Sequence, residues 1–278
     1  MVIAHTVSEV REFLESKKNT GLVPTMGALH AGHERLIQTA REQCDVVTVS
    51  VFVNPLQFGP TEDYSRYPRT WPQDLDTCDR NGVDLVFAPS VEEMYPMPPL
   101  TTVHFSRLDE QLCGKFRPGH FRGVATVVLK LLNIVKPDRA YFGEKDMQQL
   151  TIVRRMVSDF NLAVIIVGVP IVREADGLAM SSRNKYLNAE ERKAAPDLYR
   201  ALQEAASRIR AGERDVSKIR ETALGILARW SSLIRVEYLE VVDPDELQPL
   251  DVIKAPVRIA AAIWIGTTRL IDNVSAEP

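Results

Sequence analysis

Residues 45–53 are almost continuously apolar and rich in β-branched side chains, with Val46, Val47, Val49, Val51, Phe52 and Val53 in one run. A strand with one wet face alternates apolar and polar residues. This run does not, so it predicts a strand buried on both faces, as in a parallel sheet covered by helices. Its surroundings fit that frame. Short strands are predicted at 22–24, 84–88, 140–142 and 163–172, and helices at 34–43, 73–80 and about 145–160. The apolar stretch 124–135 is too long for an ordinary strand and is predicted as a buried helix. The expected class is therefore α/β, a Rossmann-like parallel sheet with helices on both faces. In such sheets ligands sit at the carboxyl ends of the strands, near the switch point of the topology. The loops after Val23, Val53 and Phe142 are then expected around one shared cleft.

After about residue 172 the pattern changes. Residues 190–211 and 216–230 read as amphipathic helices, the second with Val216, Ile219, Ala223, Ile226, Leu227 and Trp230 at helical spacing. Residues 236–242 and 257–265 read as strands. Two domains are expected, residues 1–175 and a smaller α+β domain over 176–278.

Lys and Arg number 34 against 37 Asp and Glu, a formal net charge of −3. That balance argues against broad nucleic-acid or anionic-membrane binding. The longest apolar stretches, such as 162–169, are too short to span a bilayer. The opening residues lack the basic and apolar regions of a secretory signal, and a cytoplasmic location is expected. Cys44, Cys78 and Cys113 are widely spaced and odd in number, which suggests buried reduced thiols.

Four loops hold candidate chemistry. The first runs Met26, Gly27, Ala28, Leu29, His30, Ala31, Gly32, His33. Its glycines allow a ligand close to the backbone, and the helix that begins near Gly32 is expected to offer N–H groups to an anion. His30 and His33 would share one face of the opening turn and can donate to phosphate oxygens. The plain alternative is a turn with two surface histidines. Metal ligation is disfavoured because no third ligand is near. The second loop places Asn54 and Gln57 in an apolar frame, where amides are costly to bury unpaired. Gln57 is a candidate for a ligand carboxylate or hydroxyl; the alternative is that both amides satisfy loop backbone. The third contains Gly143, Glu144, Lys145 and Asp146, with Gln149 one helical turn after Lys145. It suits a phosphate and a ribose, or is ordinary helix capping. The fourth gathers Met180, Ser181, Ser182 and Arg183 near the domain boundary, a dense donor set for phosphates or a polar linker. Arg117 and His120 add possible anion contacts.

None of these is a Walker A loop or a G-x-G-x-x-G fingerprint. A His-x-x-His turn early and a serine-rich basic loop late resemble the HIGH and KMSKS signatures of a nucleotidyltransferase superfamily. More specifically, residues 24–33, 52–58, 117–121, 143–149 and 180–183 resemble the pantothenate synthetase (pantoate–β-alanine ligase) family in order and spacing. The resemblance implies an AMP-forming ligase that condenses (R)-pantoate with β-alanine through a pantoyl adenylate, releasing AMP and pyrophosphate. It further implies an ATP site of Met26 to His33, Gly143 to Asp146, Val172 and Met180 to Arg183, the last carried at the start of the second domain. His33 would be the proton donor, with His30, Lys145 and Arg183 as further catalytic groups. Gln57 and Gln149 would bind pantoate, with Asn54 and Arg117 also expected at the substrate. Mg²⁺ would accompany ATP, with Glu62 and Asp63 as weak candidates beside it and no dedicated protein metal site. A homodimer is implied. One departure is Ala179, which stands where the superfamily loop has a lysine before Met, so positive charge there would come from Arg183, with Lys185 as a further source.

Overall fold

The computed structural model describes residues 1–60 and 62–278. In chain order its first elements are β1 (Val2–Ala4), α1 (Val7–Leu14), β2 (Thr20–Thr25), α2 (Ala31–Gln43), β3 (Val46–Val51), α3 (Trp71–Arg80), β4 (Leu85–Phe87), α4 (Val91–Met94), α5 (Leu112–Phe116), α6 (His120–Val135), β5 (Arg139–Gly143), α7 (Met147–Asp159) and β6 (Ile165–Val169). There follow α8 (Ala189–Ala194), α9 (Asp197–Arg210), α10 (Val216–Leu227), β7 (Ile234–Val242), β8 (Val257–Ile265) and β9 (Thr268–Ala276). Two compact units result. One comprises residues 1–105, 117–144 and 152–170; the other comprises 106–116, 145–151 and 171–278. The division is not a single cut, because two short segments that precede residue 171, 106–116 and 145–151, belong to the second unit.

The first unit is built on a six-stranded sheet in the order β1-β4-β3-β2-β5-β6, with every pairing parallel. The run that predicted a doubly covered strand is β3, in the middle of the sheet and buried through Val47, Thr48, Val49 and Ser50. Leu36, Ile37 and Ala40 of α2 and Cys78 of α3 pack with Val23, Val47, Val49 and Val86 on one side of the sheet. On the other side α6 lies against α1 and β2. Helix α6 begins four residues before its predicted start. It ends at Lys136 in the left-handed conformation (φ 48°), followed by Pro137, which cannot extend a helix.

The chain turns back on itself between β2 and β5, so the topological switch point lies there. Proline sharpens it. The Thr25 carbonyl accepts Phe52 N–H on the β3 side at 3.1 Å, so Pro24, one residue earlier, faces β5. Lacking an N–H, it cannot extend that ladder, which stops at Leu22↔Ala140, while pairing with β3 continues to Thr25↔Val51. The two strands are thus unzipped at their carboxyl ends.

The second unit holds the antiparallel sheet β7-β8-β9. Helices α9 and α10 pack on one face through Leu198, Leu202, Ile209, Ile219 and Ala223 against Val241, Ile259, Ala261 and Ile263. The predicted helix 190–211 is in fact two, because Pro196 interrupts it between α8 and α9. Strands β1 and β9 and helix α1 were not anticipated.

Candidate active site

The early loop sits at the carboxyl end of β2. Gly27 (φ 79°) and Ala28 (φ 52°) are both left-handed, which glycine tolerates and alanine does at a cost of about 1–2 kcal/mol. Nearly every N–H of the turn is engaged internally. Gly27 N–H reaches Thr25 Oγ1 (3.1 Å), and Ala28 and Leu29 donate to the two oxygens of Asp74 (3.0 and 2.8 Å). His30 N–H donates to His33 Nδ1 (3.3 Å), Gly32 N–H to His30 Nδ1 (3.1 Å), and His33 N–H to the His30 carbonyl (2.7 Å).

The two histidines therefore form a reciprocal capping box for α2, the part usually played by Ser or Thr with Glu. Their rings lie 4.2 Å apart between centroids, tilted at 47°. A ring nitrogen that accepts from an amide carries no proton. In this arrangement Nδ1 of each ring is the acceptor, which leaves Nε2 as the donor position. The expectation that backbone N–H groups would meet an anion here is thereby modified: the cap occupies them, and the Nε2–H groups are the donors the turn presents.

The loop after β3 carries Asn54 (1% exposed) and Gln57 (8% exposed). Asn54 uses its full capacity. Oδ1 accepts from the Tyr95 hydroxyl (2.9 Å) and Leu56 N–H (3.3 Å), and Nδ2 donates to Gln57 Oε1 and to the Gly123 carbonyl (both 3.1 Å). Burial pushes the Tyr95 phenol well above its ordinary range, which keeps it a donor. The amide of Gln57 is thus oriented by Asn54, and its Nε2 donates to Met26 Sδ (3.1 Å). A thioether is a weak acceptor, so a carboxylate or hydroxyl can displace it at little cost.

Helix α6 carries Gly123 where this loop crosses it; a Cβ there would lie 2.1 Å from the Leu56 carbonyl oxygen. Arg117 makes a two-point ion pair with Glu62 (2.8 and 2.5 Å), and its Nη2 lies 3.4 Å from the Gln57 carbonyl. His120 donates from Nδ1 to the same carbonyl (2.8 Å) and accepts from Arg117 through Nε2 (3.0 Å). Burial disfavours charge on Glu62, but the hydrogen bond and charge of Arg117 outweigh it and hold the carboxyl below its usual range. In the first unit, then, Met26, Asn54, Gln57, Arg117 and His120 are joined in one network, with Arg117 on Gln57 and Glu62.

In the second unit, Val172 and Met180 are joined by Met180 N–H to the Val172 carbonyl (2.9 Å), which closes a tight hairpin with an Arg173↔Ala179 bridge. Arg173 donates to the Gly177 carbonyl (3.1 Å), pairs with Asp272 (2.6 and 3.0 Å) and lies 3.5 Å over the Tyr199 ring. Burial pushes the Asp272 carboxyl above its usual range, against the pull of Arg173. Arg192 bridges Glu174 and Asp176, both at 2.5 Å. Asn184 ties Glu174 (2.8 Å) to the Ala179 carbonyl (3.1 Å). Ser181 accepts Arg183 N–H (3.2 Å). Ala179 is 4% exposed, a position for a small side chain rather than for the lysine of the superfamily loop. Lys145 Nζ is 3.9 Å from Asp146, and its carbonyl accepts from Asn273 (3.1 Å). Gln149 is half-buried near the start of α7.

Sequence reasoning missed Asp74, Asp272 and Asn273, all at most 3% exposed. An adjacent Asp-Asn pair set between Leu270-Ile271 and Val274 is a signal that could have revealed the last two. Among the described residues no three His, Cys, Asp or Glu side chains gather to hold a metal ion, and no helix is long and apolar enough to cross a membrane. The three cysteines are buried and free.

A parallel sheet opened at its switch point, with a histidine-capped helix following the central strand, defines a Rossmann-like nucleotide-binding architecture. Comparison with known proteins narrows it. The family model for pantoate-beta-alanine ligase matches residues 2–275. A pantothenate synthetase from Pelotomaculum thermopropionicum is 52% identical over 277 residues, covering 98% of each chain. The crystal structure of pantothenate synthetase from Thermus thermophilus superposes with a TM-score of 0.95 at 49% identity, covering 100% of both chains. That of the pantoate-beta-alanine ligase from Francisella tularensis, described as a complex with beta-gamma ATP and beta-alanine, gives 0.82 at 36% identity, covering 99% of this chain and 97% of that one. The chain belongs to the pantoate–β-alanine ligase family and is a ligase.

Proposed function

We propose that the chain condenses (R)-pantoate with β-alanine in two steps at the expense of ATP. A pantoate carboxylate oxygen attacks the α-phosphorus, the bond to the β-phosphate breaks, and pyrophosphate leaves. The β-alanine amine then attacks the acyl carbon of the bound pantoyl adenylate, giving pantothenate and AMP. The observation that carries this reading is the histidine capping box, which fixes two Nε2–H donors at the carboxyl end of β2. In-line phosphoryl transfer requires positioning and charge stabilisation more than covalent help from the protein.

On the first unit, Met26 to His33 with Gly143 and Glu144 contact ATP, and His33 supplies the proton to the developing oxyanion with His30 beside it. Gln57 exchanges its Met26 contact for pantoate. Asn54 and Arg117 serve pantoate through Gln57, one on its amide and one on its carbonyl. On the second unit, Lys145, Asp146, Val172 and Met180 to Arg183 contact ATP, with Lys145 and Arg183 countering phosphate charge, and Gln149 is a second pantoate ligand. Glu62 is engaged by Arg117 and does not suit a metal; Mg²⁺ enters with ATP, held by phosphate and water. The enzyme acts in the cytoplasm as a homodimer, without nucleic acid or membrane.

The test is pyrophosphate release with ATP, Mg²⁺ and pantoate, with and without β-alanine, products being identified by mass. Pantothenate and AMP formed only when both substrates are present is the expected result. ATP binding with no pyrophosphate release would overturn the reading.

A further inference from the structure

The mechanism assigns nothing to Asp74, yet this carboxylate is the main external support of the early loop. It lies in the first turn of α3, is 2% exposed, and accepts three hydrogen bonds: Ala28 N–H on Oδ2, Leu29 N–H on Oδ1, and the Thr70 hydroxyl on Oδ1 (3.1 Å). Those amides belong to the left-handed turn just before His30. Gly27 is also shaped by this contact, because a Cβ on it would lie 3.0 Å from Asp74 Oδ2. Only an acceptor on both atoms fits. Asparagine has the same size but would turn an amide N–H₂ toward a backbone N–H.

We propose that Asp74 is a positioning residue of the ligase: its buried carboxylate holds Gly27, Ala28 and Leu29 in the turn that sets where His30 and His33 present their Nε2–H groups. The role rests on the reading that this loop binds ATP. Asp74 itself touches no substrate. It acts through the backbone, fixing the point at which β2 hands over to the capped helix.

The first measurement is amide hydrogen exchange by NMR on the wild-type enzyme without nucleotide. Ala28 and Leu29 are expected to exchange slowly, and fast exchange at both would overturn the hold. The second is Asp74→Asn. The expected result is a drop in kcat/KM for ATP of about tenfold or more, since small misplacements of catalytic groups are costly. KM for β-alanine is expected to stay unchanged, and the Ala28 and Leu29 amides should lose their protection. A variant that melts earlier yet keeps wild-type kcat and KM once folded would reduce Asp74 to a structural part and overturn the proposal. Thr70→Val removes one donor but leaves both loop contacts, and should retain nearly full activity. Titrating wild type with ATP separates the two layers. Shifts confined to residues outside 26–33 would overturn the ATP reading and the positioning role with it, while the exchange data would still report the hold.

Discussion

The early loop of the first unit and the hairpin of the second are both short, glycine-containing turns, yet they are held in opposite ways. In the early loop the backbone donates and side chains accept: the buried Thr25 and Asp74 and the half-buried His30 and His33 all receive main-chain N–H groups. In the hairpin, Arg173 and Asn184 donate to main-chain carbonyls, and Arg173, Arg192 and Asn184 also engage carboxylates. The first arrangement is anchored on the buried Asp74 and Thr25 and engages almost every main-chain N–H of the turn, so it favours one geometry. The second is part-exposed, with Arg192, Glu174 and Asp176 side chains at 32%, 30% and 37%, and depends on charge. Rigidity should therefore reside in the first turn and adjustability in the second.

Replacing His33 with alanine removes a donor and one half of the cap. Turnover should fall about a hundredfold or more while the circular-dichroism spectrum is kept; wild-type turnover in steady-state assays would end the special status of the early loop. Next, Gln57→Ala should weaken pantoate binding by about 1–3 kcal/mol, read as a raised KM for pantoate with that for ATP little changed. Gly123→Ala, which drives a Cβ into the Leu56 carbonyl, should lower stability by about 1–3 kcal/mol in urea unfolding and raise the pantoate KM along with it. The hairpin should be more forgiving. Arg192→Ala is expected to cost no more than about 1 kcal/mol of stability, because part-exposed ion pairs contribute little; a loss as large as that of Gly123→Ala would erase the contrast.

The smallest effect concerns pH. The hydrogen bond from Arg192 holds the Asp176 carboxyl below its ordinary 3.8. A carboxyl depressed in the folded state lends stability that is present above its unfolded value and lost as pH falls through the folded one. Wild type should lose slightly more melting temperature than Arg192→Ala between about pH 5 and pH 3. Equal loss in both would show that the pair holds nothing.

The α/β class was legible because burial on both faces leaves a mark in composition, as in residues 45–53. The end of α6 at Val135 was legible from its apolar run, and starts were less so where capping was unusual. Helix α2 starts at Ala31, next to the Gly32 start that the glycine-containing turn suggested but three residues before the one its apolar spacing gave, because histidine is not a customary N-cap. The break at Pro196 was visible in sequence but outweighed by helical spacing on both sides. Strand β1 was not anticipated because three residues offer no period to detect. The candidate site residues lie in loops that stood out for their glycine and polar content. Their supports did not: Asp74 meets the loop from 45 positions away with nothing local to distinguish it from a surface carboxylate, and Asp272, marked only by its neighbour Asn273, meets Arg173 from 99.

Pro24 has a broader consequence. The parting of β2 from β5 does not depend on side-chain bulk, charge or solvent, but on a hydrogen atom the residue cannot carry. Such a gap is written into the covalent chain before folding begins. It behaves like a zipper with one tooth missing: the ladder between the two strands ends where that tooth would be, short of the turn that leads into α2.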